Sequence, residues 1–486
     1  MKATIPVRTR KISFPFGILI LLIVTGSLLI GCNNADDGDA HVNNVNGMTD
    51  NGNLLDVEIT EEAVQLVEME RSEFYGETLT IATFSDLLIR DIVRLYMLEN
   101  PGVTIEVIEL MDEDFREARE RIGVELMAGT GPVLLNTIFV DNYDPRIGDF
   151  LVDWFTIMAA DPYFNEEDWF MNVFHAVAVN GQLNAFPVLF AHEIVMANST
   201  IPGLRDALAQ RDTVSILELM EIYQEYRGEW PHFLSENYDV AVAMFTYLDR
   251  FLDIEAGIVD FDNQAFIDFI TRAREITSPD KAFGYTFSTI PISPDLEREL
   301  SERYFFITTM SVLYQYHLNF ETELLFTDLT PLTNDEGELI IDPWQSFALN
   351  ALATPTEQAL AWDFIRFMTD ARNYGGGAVS WVNMSSPNRE LFLLGVEHNL
   401  IGFRDHFERY GWRLTHEEEA FADVAAQMVA FAELPMVNAR RTPHVIFDII
   451  FEALELFHDG LVSAQQTAAD LQSRITLVLM EMGMLN

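Results

Sequence analysis

Residues 79–110 read LTIATFSDLLIRDIVRLYMLENPGVTIEVIEL, and their pattern decides the fold class. Leu79–Phe84 is a short apolar run of strand character, and Asp86–Leu98 sets Leu87, Val93 or Arg94, and Leu98 near one face at helical spacing. Asn100-Pro101-Gly102 ends that helix by turn chemistry, and Thr104–Leu110 resumes as a second strand. Further on, Phe115–Met127 predicts a second helix. Gly129, Gly131 and Pro132 break the chain before an apolar third strand, Val133–Val140. The β-α-β-α-β order predicts a parallel sheet with right-handed crossovers, and so an α/β fold. Ligands of such sheets lie beyond the carboxyl ends of the strands. Here those ends are Phe84-Ser85-Asp86, Met111-Asp112 and Asp141-Asn142-Tyr143.

The whole chain has 486 residues, 29 Lys and Arg against 77 Asp and Glu, and a net charge of −48. That balance argues against nucleic acid as a partner, because phosphate binding needs a basic surface. The first residues carry Lys2, Arg8, Arg10 and Lys11 with no acid among them, and an apolar run follows from Phe16 to Ile30. This is the layout of a signal peptide. It ends in Leu29-Ile30-Gly31-Cys32, which resembles a bacterial lipobox, and Cys32 is the single cysteine of the chain. Acylation of Cys32 would hold a soluble domain at the bilayer, on the outer side of the cytoplasmic membrane. Asn33–Asn53 is rich in Asn, Asp and Gly and reads as a flexible tether; the acidic segment up to Glu77 has partial helix character and is left unassigned, with folded structure expected from Leu79. Helical patterns recur at Ile216–Tyr226, Asn263–Ile276, Thr356–Met368 and Val445–Phe457, and Thr415–Glu418 reads as a capping box.

Enzyme signatures are missing. There is no GxSxG, no GxGxxG opening a helix after the first strand, and no P-loop; the only lysines are Lys2, Lys11 and Lys281. The 10 histidines make no metal-spaced pair, and His192-Glu193 fails as HExxH because residue 196 is Met. DNYDPRIGD and TNDEGELIID are acidic enough for calcium but lack the EF-hand pattern. The acidic excess suits a saline habitat, and the excess of Arg over Lys an alkaline one. No cofactor and no metal are expected.

Several stretches together resemble one family, the family 1 extracellular solute-binding proteins of bacterial ABC importers. They are the opening residues 79–110, LMAGTGPVLL (126–135), VNGQLNAFPVLFAHEIVMAN (179–198) and DPWQSFALNALATPTEQALAWDFIRFMTD (342–370). The closing ELPMVNARRTPHVIFDIIFEALELFHDGLVSAQQTAADLQSRI (433–475) is similar to the last helices of that fold. Val133 stands where the family usually has Asp. The resemblance implies a two-lobed, periplasmic-binding-protein-like clamp of type II with several interlobe crossings. It places residues 78–188 and 345–415 in the N-terminal lobe and 189–344 and 416–486 in the other. Residues 1–31 are then the signal peptide and 32–77 the lipidated, acidic tether. The implied function is capture of a carbohydrate, such as an oligosaccharide, between the lobes. Delivery would be to ABC permease subunits, from a monomer without catalysis. The alternatives are a surface glycoside hydrolase, or a glycan-binding sensor or adhesin that does not transport; the solute could also be a peptide or another small polar molecule.

A sugar site needs flat apolar rings and carboxylates or amides for hydroxyls. Asp141, Asn142 and Tyr143 meet the strand-end rule, as do Ser85 and Asp86, which could alternatively cap the next helix. The resemblance adds His192 and Glu193 beside the first crossing, Glu236 and Tyr238 in LSENYD, and Tyr314 and Tyr316 in SVLYQYHLN. Trp344 of DPWQSF is the expected stacking residue at a crossing. Arg440 and Arg441, before the helix opened by Thr442-Pro443, could meet a carboxylate or a hydroxyl.

Overall fold

A computed structural model describes residue 54 and residues 57–485, apart from 86–88, 112, 228–232, 236–239, 255, 278–301, 310–325, 375–384, 398–425, 428 and 439–440. It is a mixed α/β structure. Strand β1 (Thr78–Thr83) pairs in parallel with β2 (Thr104–Glu109), with Thr78 opposite Thr104 and Thr83 opposite Glu109. On its other side β1 pairs in parallel with β3 (Leu134–Asn136). Helices α1 (Glu61–Glu68), α2 (Arg90–Glu99) and α3 (Phe115–Met127) belong to this part of the chain. The expected β-α-β-α-β order is therefore present. The third strand is shorter than Val133–Val140, because Asn136 turns the chain. Its Oδ1 accepts from the Ile138 amide at 3.0 Å and its carbonyl from the Phe139 amide at 2.9 Å. The short helix α4 (Pro145–Gly148) follows that turn.

Structure begins well before Leu79, which corrects that boundary. Leu54 is buried, and its amide donates to Glu166 Oε1 at 3.1 Å. Thr60 caps α1 through a bond from the Ala63 amide; Ala63 and Leu66 of that helix are buried, and Leu66 belongs to the core. An acidic helix with one apolar stripe carries little hydropathy signal, yet the stripe is enough to dock it.

Later strands are β4 (Phe186–His192), β5 (Ile194–Asn198), β6 (Val214–Ser215), β7 (Phe233–Ser235), β8 (Tyr304–Thr309), β9 (Phe326–Thr333), β10 (Leu339–Leu349) and β11 (Met436–Asn438). These eleven strands form one sheet whose main path runs β2-β1-β3-β10-β9-β5-β8-β7. Strand β10 is the spine. Its carboxyl end pairs antiparallel with β3, its middle antiparallel with β4, and its start in parallel with β11. Strands β4 and β5 are consecutive but part company at Glu193, β4 staying with β10 while β5 joins β8 and β9.

The apolar side chains gather into two large cores. One draws on the stretches Leu54–Ile105, Val133–Leu189 and Phe347–Leu391, with a smaller cluster around Phe115, Phe139 and Ala348 beside it. Helix α5 (Pro355–Met368) gives this core Leu360, Phe364 and Ile365. The other core takes residues from Val195–Ile276, Phe305–Leu332 and Ile446–Leu479. A small third cluster, including Phe190, Ile341 and Phe392, lies along the β4–β10 pair. Helix α6 (His444–His458) shows why the second core forms. Ile446, Ile449, Ile450, Ala453, Leu454 and Phe457 recur at three- and four-residue spacing and are all buried. Helix α7 (Ala464–Glu481) returns along it after Gly460, whose φ of 73° a side chain rarely adopts. A Cβ at Gly460 would also sit 2.8 Å from Arg274 Nη2.

Candidate ligand cleft

Between the two cores lies a cavity of about 850 Å³. From the first half it is lined by the loop after β3, including Asn142, Tyr143, Asp144 and Asp149, and by the turn at Asn180, Gln182 and Asn184. From the second come Phe245, Thr246, Asp249 and Asp253. The walls are completed by Asn334 and Glu336, by Asn438 and Arg441, and by Met482–Met484 near the end of the chain.

Each wall is placed by local chemistry. Val179 and Gln182 exchange both backbone bonds, at 2.8 and 2.9 Å, around Asn180 and Gly181, whose φ values are 50° and 77°. Two successive positive φ values favour Asn-Gly in a tight hairpin turn. The segment 334–338 connects β9 to β10. There the buried Asn334 side chain accepts from the Glu338 amide at 2.9 Å and donates to Glu338 Oε2 at 2.8 Å and Asp249 Oδ2 at 3.4 Å. Burial pushes the Asp249 carboxyl up against the opposing Asn334 amide, and burial pushes Glu338 up in the same way. Helix α4 is capped by Asp144, which also holds Arg146 through its guanidinium. Asn438 at the end of β11 donates to the Tyr143 hydroxyl, and burial pushes that hydroxyl up to about 12. It therefore stays protonated in ordinary conditions.

The cleft wall is rich in amides and carboxylates, with Arg441 as its guanidinium and the rings of Tyr143 and Phe245 as its aromatic surface. Such a lining can accept and donate hydrogen bonds to many hydroxyls at once. Among the described residues, no group of three or more His, Cys, Asp and Glu is placed to hold a metal ion.

Of the expected ligand residues, Asn142, Tyr143 and Arg441 line the cavity. Asp141 stands directly behind that wall, with its carboxylate turned to His444. Ser85 is buried at the end of β1, and the cap position of α2 is held by Ile89 rather than by Ser85 or Asp86. His192 ends β4 and Glu193 follows it before β5, both buried and outside the lining; His192 has no hydrogen-bond partner on either ring nitrogen, and burial lowers it to about 4. Trp344 lies in β10, with its side chain outside the described residues. Asp86, Glu236, Tyr238, Tyr314, Tyr316 and Arg440 lie outside the described residues, as do Cys32 and the capping box at Thr415–Glu418. Sequence reasoning did not single out Asn180, Gln182, Asn184, Phe245, Asn334, Asn438 or Met482–Met484. The Asn180-Gly181 pair was the one legible signal among them.

No family model matches the sequence, and no curated protein matches it. Solved structures do match. The sugar-binding protein MalE from the phytopathogen Xanthomonas citri is similar over 83% of this chain and 98% of its own, at 13% identity and a TM-score of 0.54. A solute-binding protein of an ABC transporter from Agrobacterium radiobacter K84, in complex with ribitol, covers 83% and 99% at 16% identity and a TM-score of 0.53. A family 1 extracellular solute-binding protein from Bifidobacterium longum subsp. infantis covers 83% and 100% at 14% identity and a TM-score of 0.51. The chain has the solute-binding-protein fold. The expected α/β clamp is thereby borne out, since the likeness runs over nearly the whole length of each of these structures. Among the described residues, no helix is long and apolar enough to cross a membrane.

Proposed function

We propose that the chain is an extracellular solute-binding protein that captures a carbohydrate between its two lobes for delivery to an ABC importer. One observation carries this reading: a cavity of about 850 Å³, walled by amides and carboxylates from both cores, lies where a closing clamp would hold a solute. Its size falls within the range of about 300–1,000 Å³ common to small-molecule sites. Sugar hydroxyls suit walls that offer both donors and acceptors, and Tyr143 and Phe245 offer ring faces. The fold's relatives with bound or named ligands include a sugar-binding protein and a ribitol complex.

In this reading the lobes comprise 78–188 with 345–415, and 189–344 with 416–486, and the protein works as a monomer without catalysis. Residues 1–31 act as a signal peptide, and acylated Cys32 anchors the protein outside the cytoplasmic membrane. Permease subunits recognise the closed form. A solute that touches both lobes binds the closed state better and so shifts the population toward it. Asn142, Tyr143 and Arg441 contact the solute, joined by Gln182 and Asn438. Trp344, Tyr314, Tyr316, Glu236, Tyr238, Ser85, Asp86 and Arg440 remain candidates for further contacts. The test is a thermal-shift screen of the purified chain against carbohydrates, short peptides, amino acids and polyamines. A native-state ligand at a hundred times its Kd adds about 2.7 kcal/mol. A shift with one carbohydrate class supports the reading, whereas a shift with peptides alone would replace the solute class.

A further inference from the structure

The loop after β3 does more than line the cleft. Asp141 Oδ2 accepts from the backbone amide of His444 at 2.7 Å, and His444 opens α6, a helix of the other core. Pro443, the cap residue of α6, makes no side-chain bond there, so the carboxylate from the first core supplies the cap. Residues 441–443, which lead into this helix, are cleft wall. Asp141 thus reaches across the molecule to hold a strip of wall it does not belong to. Two contacts flank it: Asn438 with the Tyr143 hydroxyl, and Arg119 of α3 with Asp448 of α6 at 3.7 Å.

We propose that Asp141 is a positioning residue of the clamp, a latch between the lobes whose proton uptake accompanies closure. The inference rests on the clamp reading above, because it needs the lobes to part. Several observations favour a latch that takes a proton. Asp141 Oδ1 is buried without a well-aligned hydrogen bond, the Tyr143 amide being only a loose neighbour of the carboxyl, so a proton can sit there while Oδ2 keeps its bond to the helix. Burial pushes the Asp141 carboxyl up to about 6, and the nearby Asp144 carboxylate adds to this. The amides of His444 and Tyr143 and the Arg119 guanidinium pull the other way without cancelling it. The charged groups that face the latch are therefore Asp144, itself held by Arg146, together with Arg119 and Asp448. The His444 ring also faces it, with Nδ1 3.9 Å from Oδ2.

The sign follows from linkage. In the open form Asp141 meets water and titrates near its ordinary value of about 3.9. In the closed form it binds its proton more tightly. Acidification therefore favours closure, by about tenfold in the closed-to-open ratio for each pH unit below about 6, levelling near pH 4.

Electron–electron distance measurement between spin labels tests this without needing the solute. The full chain carries Cys32→Ser together with Glu117→Cys on α3 and Glu455→Cys on α6, both exposed positions, so the labels report the lobe separation. The expected result is two distance populations. From pH 7.5 to pH 5 the short one grows about tenfold relative to the long one. His444→Gln keeps that response, which assigns it to Asp141 rather than to the imidazole. Asp141→Asn keeps the cap through its amide oxygen, starts more closed and loses the pH response. Asp141→Ala stays open at every pH. Two populations that respond identically in all four proteins would overturn the latch and leave the clamp standing. One unchanging distance in every protein would overturn both. Loss of the response in His444→Gln would also overturn it, because the proton would then belong to the imidazole.

Discussion

The side-chain amide of Asn438 donates to the hydroxyl of Tyr143, joining residues 295 positions apart at the wall of the cleft. Tyr143 follows β3 on the side of the first core, whereas Asn438 ends β11, three residues before Arg441. This bond and the Asp141 cap fasten the same two segments, so the cleft wall is one unit built from distant parts of the chain.

Tyr143→Phe strips Asn438 of that acceptor. A hydrogen bond of this kind contributes about 0.5–1.5 kcal/mol, so the melting temperature should drop measurably while the fold persists. Asn438→Ala should cost a similar amount, and the double variant less than the sum of the two. A double-mutant cycle by denaturant unfolding checks this, with an expected coupling of about 1 kcal/mol. Strict additivity would mean that the bond contributes nothing.

His192 should make the fold acid-sensitive. Burial among Phe190 and Phe431 lowers its folded value to about 4 from an ordinary 6.5. The unfolded chain then binds more protons than the folded one between those values. The His192 contribution to stability is therefore complete above about pH 6.5 and falls as pH drops toward about 4. His192→Leu should be more stable than the parent by about 2 kcal/mol at pH 5 and differ little at pH 8 in this proton-linked part. Urea melts at the two pH values read the difference. Asp141 works with the opposite sign in an overlapping window, so the variant's difference from the parent is informative where the parent's own slope is not.

Removing residues 1–70 should weaken the domain rather than free it of a tether. Leu54 and Leu66 are nearly fully buried, and a buried Leu contributes about 1.5–3 kcal/mol. A thermal melt of the truncated chain should show a loss of about 4 kcal/mol beside the longer form. Equal melting temperatures would return the start of the folded domain to Leu79.

Asp161 ties the first core together. Its side chain is 1% exposed; Oδ2 accepts from Trp362 Nε1 at 2.8 Å and lies 3.2 Å from Arg366 Nη1. Asp161→Ala leaves the buried indole N–H unpaired and should cost about 1–3 kcal/mol, because the half-exposed Arg366 can turn to water. Near-ultraviolet dichroism, which reports tryptophan packing, should change in step with the melting temperature.

The fold was legible where periodicity is local. The β1–α2–β2–α3 segment, α5 and α6 all carry their burial in adjacent residues, and their expected bounds agree with the structure to within a few positions. Helix α1 was not legible, because only Ala63 and Leu66 of its eight residues are buried. The spine β10 contains Pro343 and is paired by residues from four other strands, so nothing in its neighbourhood announces it. The cleft divides in the same way. Asn142 and Tyr143 follow from the rule that ligands lie beyond strand ends. Phe245, Asn334 and Met484 reach the cavity only through long-range pairing and the return of α7 along α6, which no local pattern encodes.

The most direct test of the central claim is calorimetric titration of the purified chain with the carbohydrate that gives the largest thermal shift. The parent should be compared with a Gln182→Ala/Arg441→Ala double variant. Both residues are exposed on the cleft wall, so the variant should fold and melt like the parent. The account predicts one-to-one binding by the parent and affinity at least tenfold weaker in the variant. Carbohydrate binding that is identical in the two proteins, or absent in the parent across the whole panel, would contradict it.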